Sequence, residues 1–535
     1  MISFISLRTY ILLFPKMTGE GEVEEKILKS YEIEAEGIPV AVDVVEKDLM
    51  PFYKLNIPDV DIATLALLDD IKEKLIGAIE VTKTEFFDPK MMEGLKEQFK
   101  SEAKVLIQEE LPQLDEQITD HFMITLVHDL LGLGDIEFLL DDVNIEEIVI
   151  NSSKEPIRIY HKGFGWIKTN LYSESESEIV NYASIIARRV GREISNLEPM
   201  LDAYLLSKDR ANAILMPIAS KGSTITIRKF ARDPWTAADF IKNKTASSEV
   251  LALIWLVIQY EMNMLISGGT GSGKTSFLNV CMPFIPPNHR IISIEDTREL
   301  QLPHFLYWCP LTTRQPNPEG KGEVTMLDLV VNSLRMRPDR IIMGEIRKKR
   351  EAEVLFEAMH TGHSVYGTLH ADTCEQTITR LINPPIDIAE SMLDAVHLNV
   401  VMFRDRRQGI RRVYEVGELI HDPEVPKREI RYIPHILYKW NPRGDTIDVN
   451  YDRNTEKINL FERIERNTGL TSGEINEDLD TKKNILEWLV KNKTRKIEEM
   501  GAIMNNFYLD KDSVISLMEK DGDPKKIIGE IEIEE

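Results

Sequence analysis

The sequence predicts an α/β protein, with a main domain built on a doubly wound parallel sheet, a smaller α/β domain before it, and helical regions at both ends. Two observations favour this class. From residue 247 onward, short apolar segments of strand length alternate with helical patterns, as a parallel sheet with crossover helices requires. The chain of 535 residues is also too long for a single domain, because a domain usually holds roughly 100 to 200 residues.

Changes in hydrophobic pattern and in composition divide the chain into six predicted segments. Pro234 marks a linker, because proline disfavours the helical conformation at the residue before it, and the pattern changes again near residue 436. The segments are an apolar extension at 1–16, a helical N-terminal region at 17–134, an α/β N-terminal domain at 135–231, a linker at 232–246, a larger α/β domain at 247–435, and a hairpin with a helical C-terminal region at 436–535.

The N-terminal part mixes an apolar start with acidic, helical sequence. Residues 1–16 are shorter than the roughly 20 residues a membrane-spanning helix needs and lack a signal-peptide cleavage site. Two interpretations stay open, an extension upstream of a true start at Met17 and a weak interfacial anchor. Further on, apolar residues at helical spacing predict short helices with connectors: Ile62, Leu65, Leu68, Ile71 and Leu75.

The smaller α/β domain is predicted from alternating apolar and polar residues. Residues 145–151, 157–160 and 224–229 have the period of two that is typical of half-buried strands. Residues 177–190 have helical spacing. A compact mixed domain follows from this order.

The C-terminal region begins with a predicted hairpin. Residues 436–440 and 446–450 are strand-like and flank a turn at 441–445. Two helical stripes follow, which we interpret as core packing, with contact to a partner protein as the alternative. They consist of Ile485, Leu486, Leu489 and Val490, then Ile497, Met500, Ile503, Met504 and Phe507.

Composition excludes some classes of function. The formal net charge of −24 argues against sequence-independent duplex binding, which depends on Lys and Arg displacing phosphate counterions. Cys281, Cys309 and Cys374 lie far apart without a CxxC pair, so neither a zinc ribbon nor a disulfide framework is expected. We expect a cytoplasmic protein.

A glycine-rich loop carries the strongest chemical signal. Residues 268–275 read GGTGSGKT, after a short apolar strand at 264–267 and before a helix at 276–280. Strand, loop and helix in this order form a phosphate-binding loop, in which backbone NH groups and a lysine hold phosphate and a hydroxyl binds Mg²⁺. The predicted nucleotide-binding residues are Gly268, Gly269, Thr270, Gly271, Ser272, Gly273, Lys274, Thr275 and Ser276, with Thr275 also a magnesium ligand.

Two later strands end in acids. Glu345 closes the apolar segment 340–346, and a carboxylate there can order the magnesium shell or polarise water. Glu295, Asp296 and Glu299 follow the apolar segment beginning at Arg290. One of these three is the candidate general base for in-line attack by water.

Two histidines follow the second acidic strand. His363 and His370 are seven residues apart, with no further ligands at zinc-like spacing. We therefore favour a γ-phosphate sensor or a relay between subunits over a metal site.

These motifs together resemble a known family. The succession GGTGSGKTS, IEDTREL, RPDRIIMGEIR and TGHSVYGTLHADT resembles the Walker A motif, Asp box, Walker B motif and His box of the type II/type IV secretion ATPases. The resemblance covers about 135–420 and implies a RecA-like P-loop NTPase core at 247–435. Gly269 stands where the family usually has Pro, and Gly344 where many P-loop proteins have Asp. The sequence lacks the tetracysteine zinc module of the bacterial secretion members. Its helical tail is similar to that of the archaeal branch.

The resemblance also implies partners and further site residues. Arg210 and Arg228 match arginines that reach a neighbouring subunit's nucleotide in that family. The implied assembly is a homo-hexamer that uses ATP and Mg²⁺, the latter held by Thr275 and Glu345. It would act on a polytopic membrane platform protein and filament-associated cytoplasmic accessory proteins, at the inner face of the cell membrane. It would drive an archaellum or an archaeal pilus. The alternatives are a conjugation-type secretion ATPase and a nucleic-acid translocase, although no nucleic-acid partner is expected.

Overall fold

The computed structural model describes residues 26–57, 62–78, 89–205, 209–230, 234–314, 316, 320–426, 430–452 and 456–528. The predicted extension at 1–16 lies outside these residues. The chain forms two compact units, Met1–Arg232 and Asp233–Glu535, and the division coincides with the start of the predicted linker. Each unit is built around a nine-stranded sheet.

The first unit has one sheet covered by helices. Its strand order is β1-β2-β3-β6-β5-β4-β9-β8-β7, and of these pairs only β3 with β6 is parallel. The strands are β1 (Lys26–Ala35), β2 (Ile38–Lys47), β3 (Met50–Leu55), β4 (Ile145–Ile150), β5 (Arg158–His161), β6 (Gly165–Thr169), β7 (Met200–Tyr204), β8 (Arg210–Ile214) and β9 (Thr224–Arg228), and the helices are α1 (Ile62–Ala78), α2 (Pro89–Glu110), α3 (Glu116–Leu131), α4 (Ile136–Asp141) and α5 (Glu176–Arg189).

The prediction of a wholly helical region at 17–134 is wrong for 26–55, which forms β1, β2 and β3. In β2, Val40, Val42 and Val44 are buried and alternate with less buried positions, which is the strand period of two. Because β3 pairs with β6, this meander extends the sheet of the smaller α/β domain. The predicted boundary at residue 135 therefore does not separate compact units. The predicted strands at 145–151 and 224–229 and the helix at 177–190 are confirmed.

A buried carboxylate holds the meander to that sheet. Asp142 is fully buried and accepts hydrogen bonds from the hydroxyls of Tyr31 at 2.6 Å and Tyr53 at 3.0 Å. Its other oxygen accepts from the backbone and side-chain nitrogens of Asn144. Four donors compensate for the cost of burying this group.

The second unit contains a mixed sheet with helices around it. The order is β12-β11-β13-β14-β10-β15-β16-β17-β18. Its strands are β10 (Met264–Gly268), β11 (Arg290–Glu295), β12 (Tyr307–Thr312), β13 (Arg340–Met343), β14 (Ser364–Leu369), β15 (Leu398–Asp405), β16 (Ile410–His421), β17 (Tyr432–Asn441) and β18 (Thr446–Val449), and its helices are α6 (Ala237–Lys242), α7 (Ser248–Gln259), α8 (Lys274–Cys281), α9 (Met326–Ser333), α10 (Lys349–His360), α11 (Cys374–Ile382), α12 (Asn459–Thr468), α13 (Ser472–Lys491), α14 (Ile497–Leu509), α15 (Lys511–Glu519) and α16 (Lys525–Ile528).

The first six strands in this order, β12-β11-β13-β14-β10-β15, are parallel, which confirms the predicted α/β core with a parallel sheet. β16, β17 and β18 continue the same sheet in antiparallel fashion. The hairpin predicted at 436–450 is confirmed, but the predicted domain boundary at 436 is wrong because it cuts through β17. The predicted linker at 232–246 contains α6, whose capping box joins Thr236 and Asp239.

The C-terminal helices belong to the core of the second unit. They enclose α7, in which residues 250–258 are almost completely buried. The Trp255 indole donates to the Tyr508 hydroxyl at 2.9 Å, and that hydroxyl donates to the Phe284 carbonyl at 2.6 Å. The Trp255 and Phe507 rings lie 4.7 Å apart. The interpretation of the two helical stripes as core packing is therefore confirmed.

No helix within the described ranges is both long and apolar enough to cross a membrane.

One buried ion pair in this helical layer generates a stability prediction. Lys482 is completely buried, pairs with Asp478, and lies 5.5 Å from the Trp255 ring centroid. Asp478→Ala leaves the ammonium without its carboxylate, so we expect the free energy of unfolding to fall by about 3–5 kcal/mol. Lys482→Met removes the charge and keeps most of the volume, while Lys511 still pairs with Asp478 at 2.9 Å. Its expected loss is smaller, about 1 kcal/mol.

Urea unfolding of the full chain measures both losses. A Lys482→Met variant that is destabilised as strongly as Asp478→Ala would contradict this account of the pair.

Candidate active site

The phosphate loop begins where β10 ends. Gly268, Gly271 and Gly273 have φ values of +149°, +72° and +97°, a region that residues with a Cβ adopt only at a cost. These conformations turn the chain tightly into α8, which starts at Lys274. The N-terminus of α8 adds unpaired NH groups and the positive end of its dipole, both suited to an anion.

Lys274 lies inside this turn. Its Nζ donates to the carbonyls of Gly268 at 2.9 Å and Gly269 at 3.1 Å, and lies 3.4 Å from Nδ1 of His370. Burial lowers the pKa of Lys274, an effect opposed by the charges of Glu345, Asp372 and Glu299. The ammonium is therefore near acids and partly removed from water, which strengthens its attraction for an anion.

The other predicted loop residues surround this lysine. Ser272 is 2% exposed, and its Oγ has no hydrogen-bond partner. A buried hydroxyl without a hydrogen-bond partner is uncommon. It is what we expect of a loop that binds a polar group of a ligand. Thr270 is exposed, whereas Thr275 and Ser276 are half-buried in the first turn of α8.

Neutral side chains support the loop from below. The Ser267 hydroxyl lies 2.9 Å from Thr377 Oγ1 and donates to Asn399 Oδ1 at 2.9 Å. The Asn399 amide donates to Thr377 and to the sulfur of Cys374. Burial raises the pKa of Cys374 to about 12, so its thiol is neutral at neutral pH. The backbone NH of Cys374 donates to the Glu415 carboxylate at 3.0 Å.

Glu345 connects the acid-bearing strand to the loop lysine. It follows β13 and pairs with Arg347 at 2.8 Å and with Nε2 of His370 at 3.3 Å. Burial acts to raise the pKa of Glu345, but Arg347, His370 and Lys274 bring it below its usual value. Burial and Lys274 lower the pKa of His370. A neutral His370 that accepts at Nδ1 must carry its proton at Nε2, and so links Lys274 to Glu345.

Arg347 joins two of the predicted acids. Its Nη1 lies 2.5 Å from Asp296 Oδ2, while its Nη2 contacts Glu345. The Asp296 carboxylate also accepts from Thr313 at 3.2 Å. The sequence reasoning missed Arg347, although its position two residues after Glu345 is visible in the motif.

Glu295 stands apart from the other acids. It is 2% exposed, and burial raises its pKa to about 7. Oε1 accepts from the backbone NH of Glu299 at 2.9 Å and of Leu300 at 3.1 Å, whereas Oε2 has no hydrogen-bond partner. Glu295 lies against Gly344, where an added Cβ would come within 3.4 Å of it. An anchored carboxyl with this pKa can exchange a proton near neutral pH.

Glu299 is connected to the phosphate loop both electrostatically and by a hydrogen bond. Its carbonyl accepts a hydrogen bond from the Asn279 amide of α8 at 3.1 Å, and its carboxylate contributes to the field at Lys274. The stretch from Glu295 to Glu299 is thus tied to the helix that starts at the phosphate loop.

His363 does not join His370. It precedes β14 and bonds the Ala358 carbonyl at 3.2 Å, whereas His370 follows the carboxyl end of the strand. Six strand residues between them correspond to roughly 20 Å at about 3.3 Å per residue. The two histidines therefore do not share one site within the chain, and the roles of phosphate sensor and subunit relay stay predictions.

Arg210 and Arg228 lie in the first unit, on paired strands. They stand directly opposite each other in β8 and β9. Arg210 forms a two-pronged ion pair with Asp202, at 3.0 and 2.7 Å. Two guanidinium groups at one register position can meet the same anion.

The sequence reasoning also missed a basic hairpin beside the loop. Residues 404–412 read RDRRQGIRR, and Arg404 faces Arg411 across β15 and β16. Arg411 Nε donates to the Gly271 carbonyl at 3.2 Å. The run of arginines was a visible signal, but their place beside the loop depends on pairing between distant strands.

The family model described as "Type II/IV secretion system protein" matches residues 210–404. An uncharacterized protein of Methanocaldococcus jannaschii is 36% identical over 396 residues, 73% of this chain and 70% of the relative. This chain belongs to the type II/type IV secretion family.

Two further similarities were found. A putative conjugal transfer protein of Mycobacterium tuberculosis is 30% identical over 261 residues, 47% of this chain and 73% of its own. A crystal structure of the pilus retraction motor PilT with bound ADP is 16% identical, covers 72% of this chain and 95% of its own, and has a TM-score of 0.37. The part of this chain that the family model matches includes the phosphate loop and ends at Arg404.

The tight start of the loop generates a prediction. A Cβ at Gly268 would overlap the backbone carbonyl of Met402, whereas one at Gly409 would have open space. Both glycines have positive φ, so each substitution by alanine costs about 1–2 kcal/mol. Gly268→Ala should cost a further 1–3 kcal/mol or so because β15 must shift. Thermal unfolding of both variants measures the difference, and equal losses would contradict it.

Proposed function

We propose that this chain is a P-loop ATPase that works as a homo-hexamer and powers assembly, secretion or rotation of an archaeal type IV pilus-like filament. The observation that carries the proposal is the direct chain of contacts from the phosphate-loop lysine Lys274 through His370 to Glu345. Such a chain links the group that would hold phosphate to the acid that would act beside it.

The residues present fit a magnesium nucleotide. Lys274, the orphaned Ser272 hydroxyl and the NH groups at the start of α8 suit phosphate oxygens. Within the described ranges, no group of three or more His, Cys, Asp or Glu side chains could hold a metal on its own. Mg²⁺ bound mainly by phosphates, water and one or two protein oxygens needs no such group. Thr275 and Glu345 are the residues proposed to hold it, where it would neutralise phosphate charge.

The acids divide the remaining work between them. We assign Glu295 as the general base, since its free Oε2 and its pKa of about 7 suit proton removal from water. Arg347 fixes Glu345 and Asp296 in place through its two ends. His370 reports on the position of Lys274 through Nδ1. His363, distant from this cluster, keeps only the predicted role of a relay between subunits.

Arg210 and Arg228 are proposed as arginine fingers that act on the nucleotide of another subunit. Their opposed positions support this role, because planar guanidinium groups can spread charge over several phosphoryl oxygens. Asp202 preorganises Arg210 for such a contact. The proposal makes assembly a requirement for turnover.

The proposed filament motor would act on a polytopic membrane platform protein, with cytoplasmic accessory proteins, at the inner face of the membrane. This part of the proposal rests on the resemblance of the sequence to the archaeal branch of the family. We place the archaellum first and an archaeal pilus second. A conjugation-type secretion ATPase is the competing candidate, because a putative conjugal transfer protein is 30% identical. A nucleic-acid translocase is less favoured by the net charge of −24. DNA-stimulated ATP turnover would support it.

Lys274→Ala tests the central proposal. Loss of the ammonium should lower ATP turnover by roughly a hundred-fold or more, since it removes phosphate stabilisation, while the circular dichroism spectrum stays unchanged. The control is Lys491→Ala, which removes an exposed lysine paired with Asp521 and should hydrolyse ATP normally. Continued turnover by Lys274→Ala would overturn the proposal.

The same substitution in cells assigns the filament. If the chain is the archaellum motor, cells carrying Lys274→Ala lose archaella and swimming but keep adhesive pili. Loss of pili with normal swimming assigns pilus assembly, and loss of neither refutes a filament motor.

The elevated pKa of Glu295 generates a pH prediction. A general base must be deprotonated, so kcat should rise with pH through about 7 and level off above it. Glu295→Gln should remove this rise and lower kcat by roughly a hundred-fold. Glu299→Gln, four residues further on, should keep the rise. A flat wild-type profile, or a rise that persists in Glu295→Gln, would exclude Glu295 as the base.

A further inference from the structure

The two strands beside β10 bring different chemistry to the two sides of the phosphate loop. β14 leads into His370, which contacts Lys274 and Glu345. β15 runs parallel to β10 on the other side, with Met402 in register with Gly268. Arg404, two residues further on, therefore emerges beside the loop on the side away from the acids.

Arg404 and Arg411 both contact the loop at Gly271. A Cβ at Gly271 would lie 2.8 Å from Nη1 of Arg404, so this guanidinium lies directly against the glycine. Arg411 donates from Nε to the Gly271 carbonyl, and a Cβ at Gly273 would lie 3.4 Å from its Cδ. The two arginines thus form one wall of the loop.

The wall is cationic in an acidic protein. Arg404 and Arg411 face each other directly across the strand pair, where like charges are destabilising unless another group compensates them. Within the described part of the chain, no carboxylate lies at ion-pair distance from Arg411. Arg412, the next residue, differs because it is buried and pairs with Asp445 at 2.7 Å. Arg411 is therefore placed for something outside the chain.

We propose that Arg404 and Arg411 hold the nucleoside end of the bound nucleotide, its ribose and base. This inference rests on the proposed function. A triphosphate whose γ end points to Glu345 on the β14 side must extend its nucleoside towards the β15 side. Guanidinium groups stack on aromatic bases and donate to ribose oxygens. The hydrogen bond from Arg411 to the Gly271 carbonyl fixes this arginine relative to the phosphates, and Arg404 packs against the same glycine.

This role differs from that of the acids, because the contacts of the two arginines with the nucleoside stay the same during hydrolysis. ATP and ADP carry the same nucleoside, so the two arginines should contribute equally to binding both. Binding that is equal in ground and transition states changes KM rather than kcat. The two arginines are positioning residues for substrate and do not take part in the chemical step.

Calorimetric titration of the full-length chain with ADP and with inorganic tripolyphosphate tests this. Arg404→Gln and Arg411→Gln should each weaken ADP binding about ten-fold, as expected for loss of a charge-assisted contact. Tripolyphosphate has no nucleoside, so its affinity should change less than two-fold or so. In turnover, KM for ATP should rise in step with the ADP dissociation constant while kcat is retained.

Arg406→Gln is the matched control, because it makes the same charge change at an exposed position in the same turn. It should bind both ligands like the wild type. Unchanged ADP affinity in both arginine variants would overturn the inference. Equal weakening of ADP and tripolyphosphate would also overturn it, since the arginines would then act through the phosphates or the loop. A wild-type chain that binds neither ligand would instead refute the proposed function.

Discussion

The position of β10 between two parallel neighbours is the constraint on which the candidate site depends. Because β14 and β15 both run in the same direction as β10, their carboxyl ends open at the same edge of the sheet as the phosphate loop. Carboxyl ends of parallel strands are where such sheets bind ligands. Completely buried apolar residues in β10 and α7 fix this arrangement, and the C-terminal helices complete the enclosure of α7. Distant parts of the sequence thus jointly determine the position of one loop.

The sequence predicted most of what depends on local pattern. The order of strand, loop and helix around Lys274 needs only adjacent residues, and Glu345 and Glu295 lie at the ends of short apolar runs. Features that depend on pairing between distant segments were missed. Arg404 and Arg411 reach the phosphate loop only because β15 pairs with β10, and the hairpin near residue 440 belongs to the core sheet through β16. The distance between His363 and His370 also could not be read from their spacing, since residues seven apart are far from each other in space only when the chain between them is an extended strand.

The N-terminal meander was missed for a different reason. The stretch from Ile62 to Leu75 has a clear helical pattern, and that pattern was extended to sequence in which β2 alternates with a period of two. The buried Asp142 accepts hydrogen bonds from two tyrosines of the meander that are 111 and 89 residues away in sequence, so its role could not be read locally. The stability of such strands depends on pairing and packing with their neighbours in the sheet.

The floor beneath the phosphate loop has a consequence for how the protein responds to acid and base. Ser267, Thr377 and Asn399 form hydrogen bonds among uncharged groups, and the Cys374 thiol, with a pKa raised to about 12, stays protonated near neutrality. Protonation changes around neutrality are thereby confined to the rim, at groups such as Glu295 and His370, while the foundation of the loop keeps one electrostatic state. The molecule separates a titrating upper layer from a chemically inert base, so that changes in acidity can alter reactivity without loosening the binding scaffold.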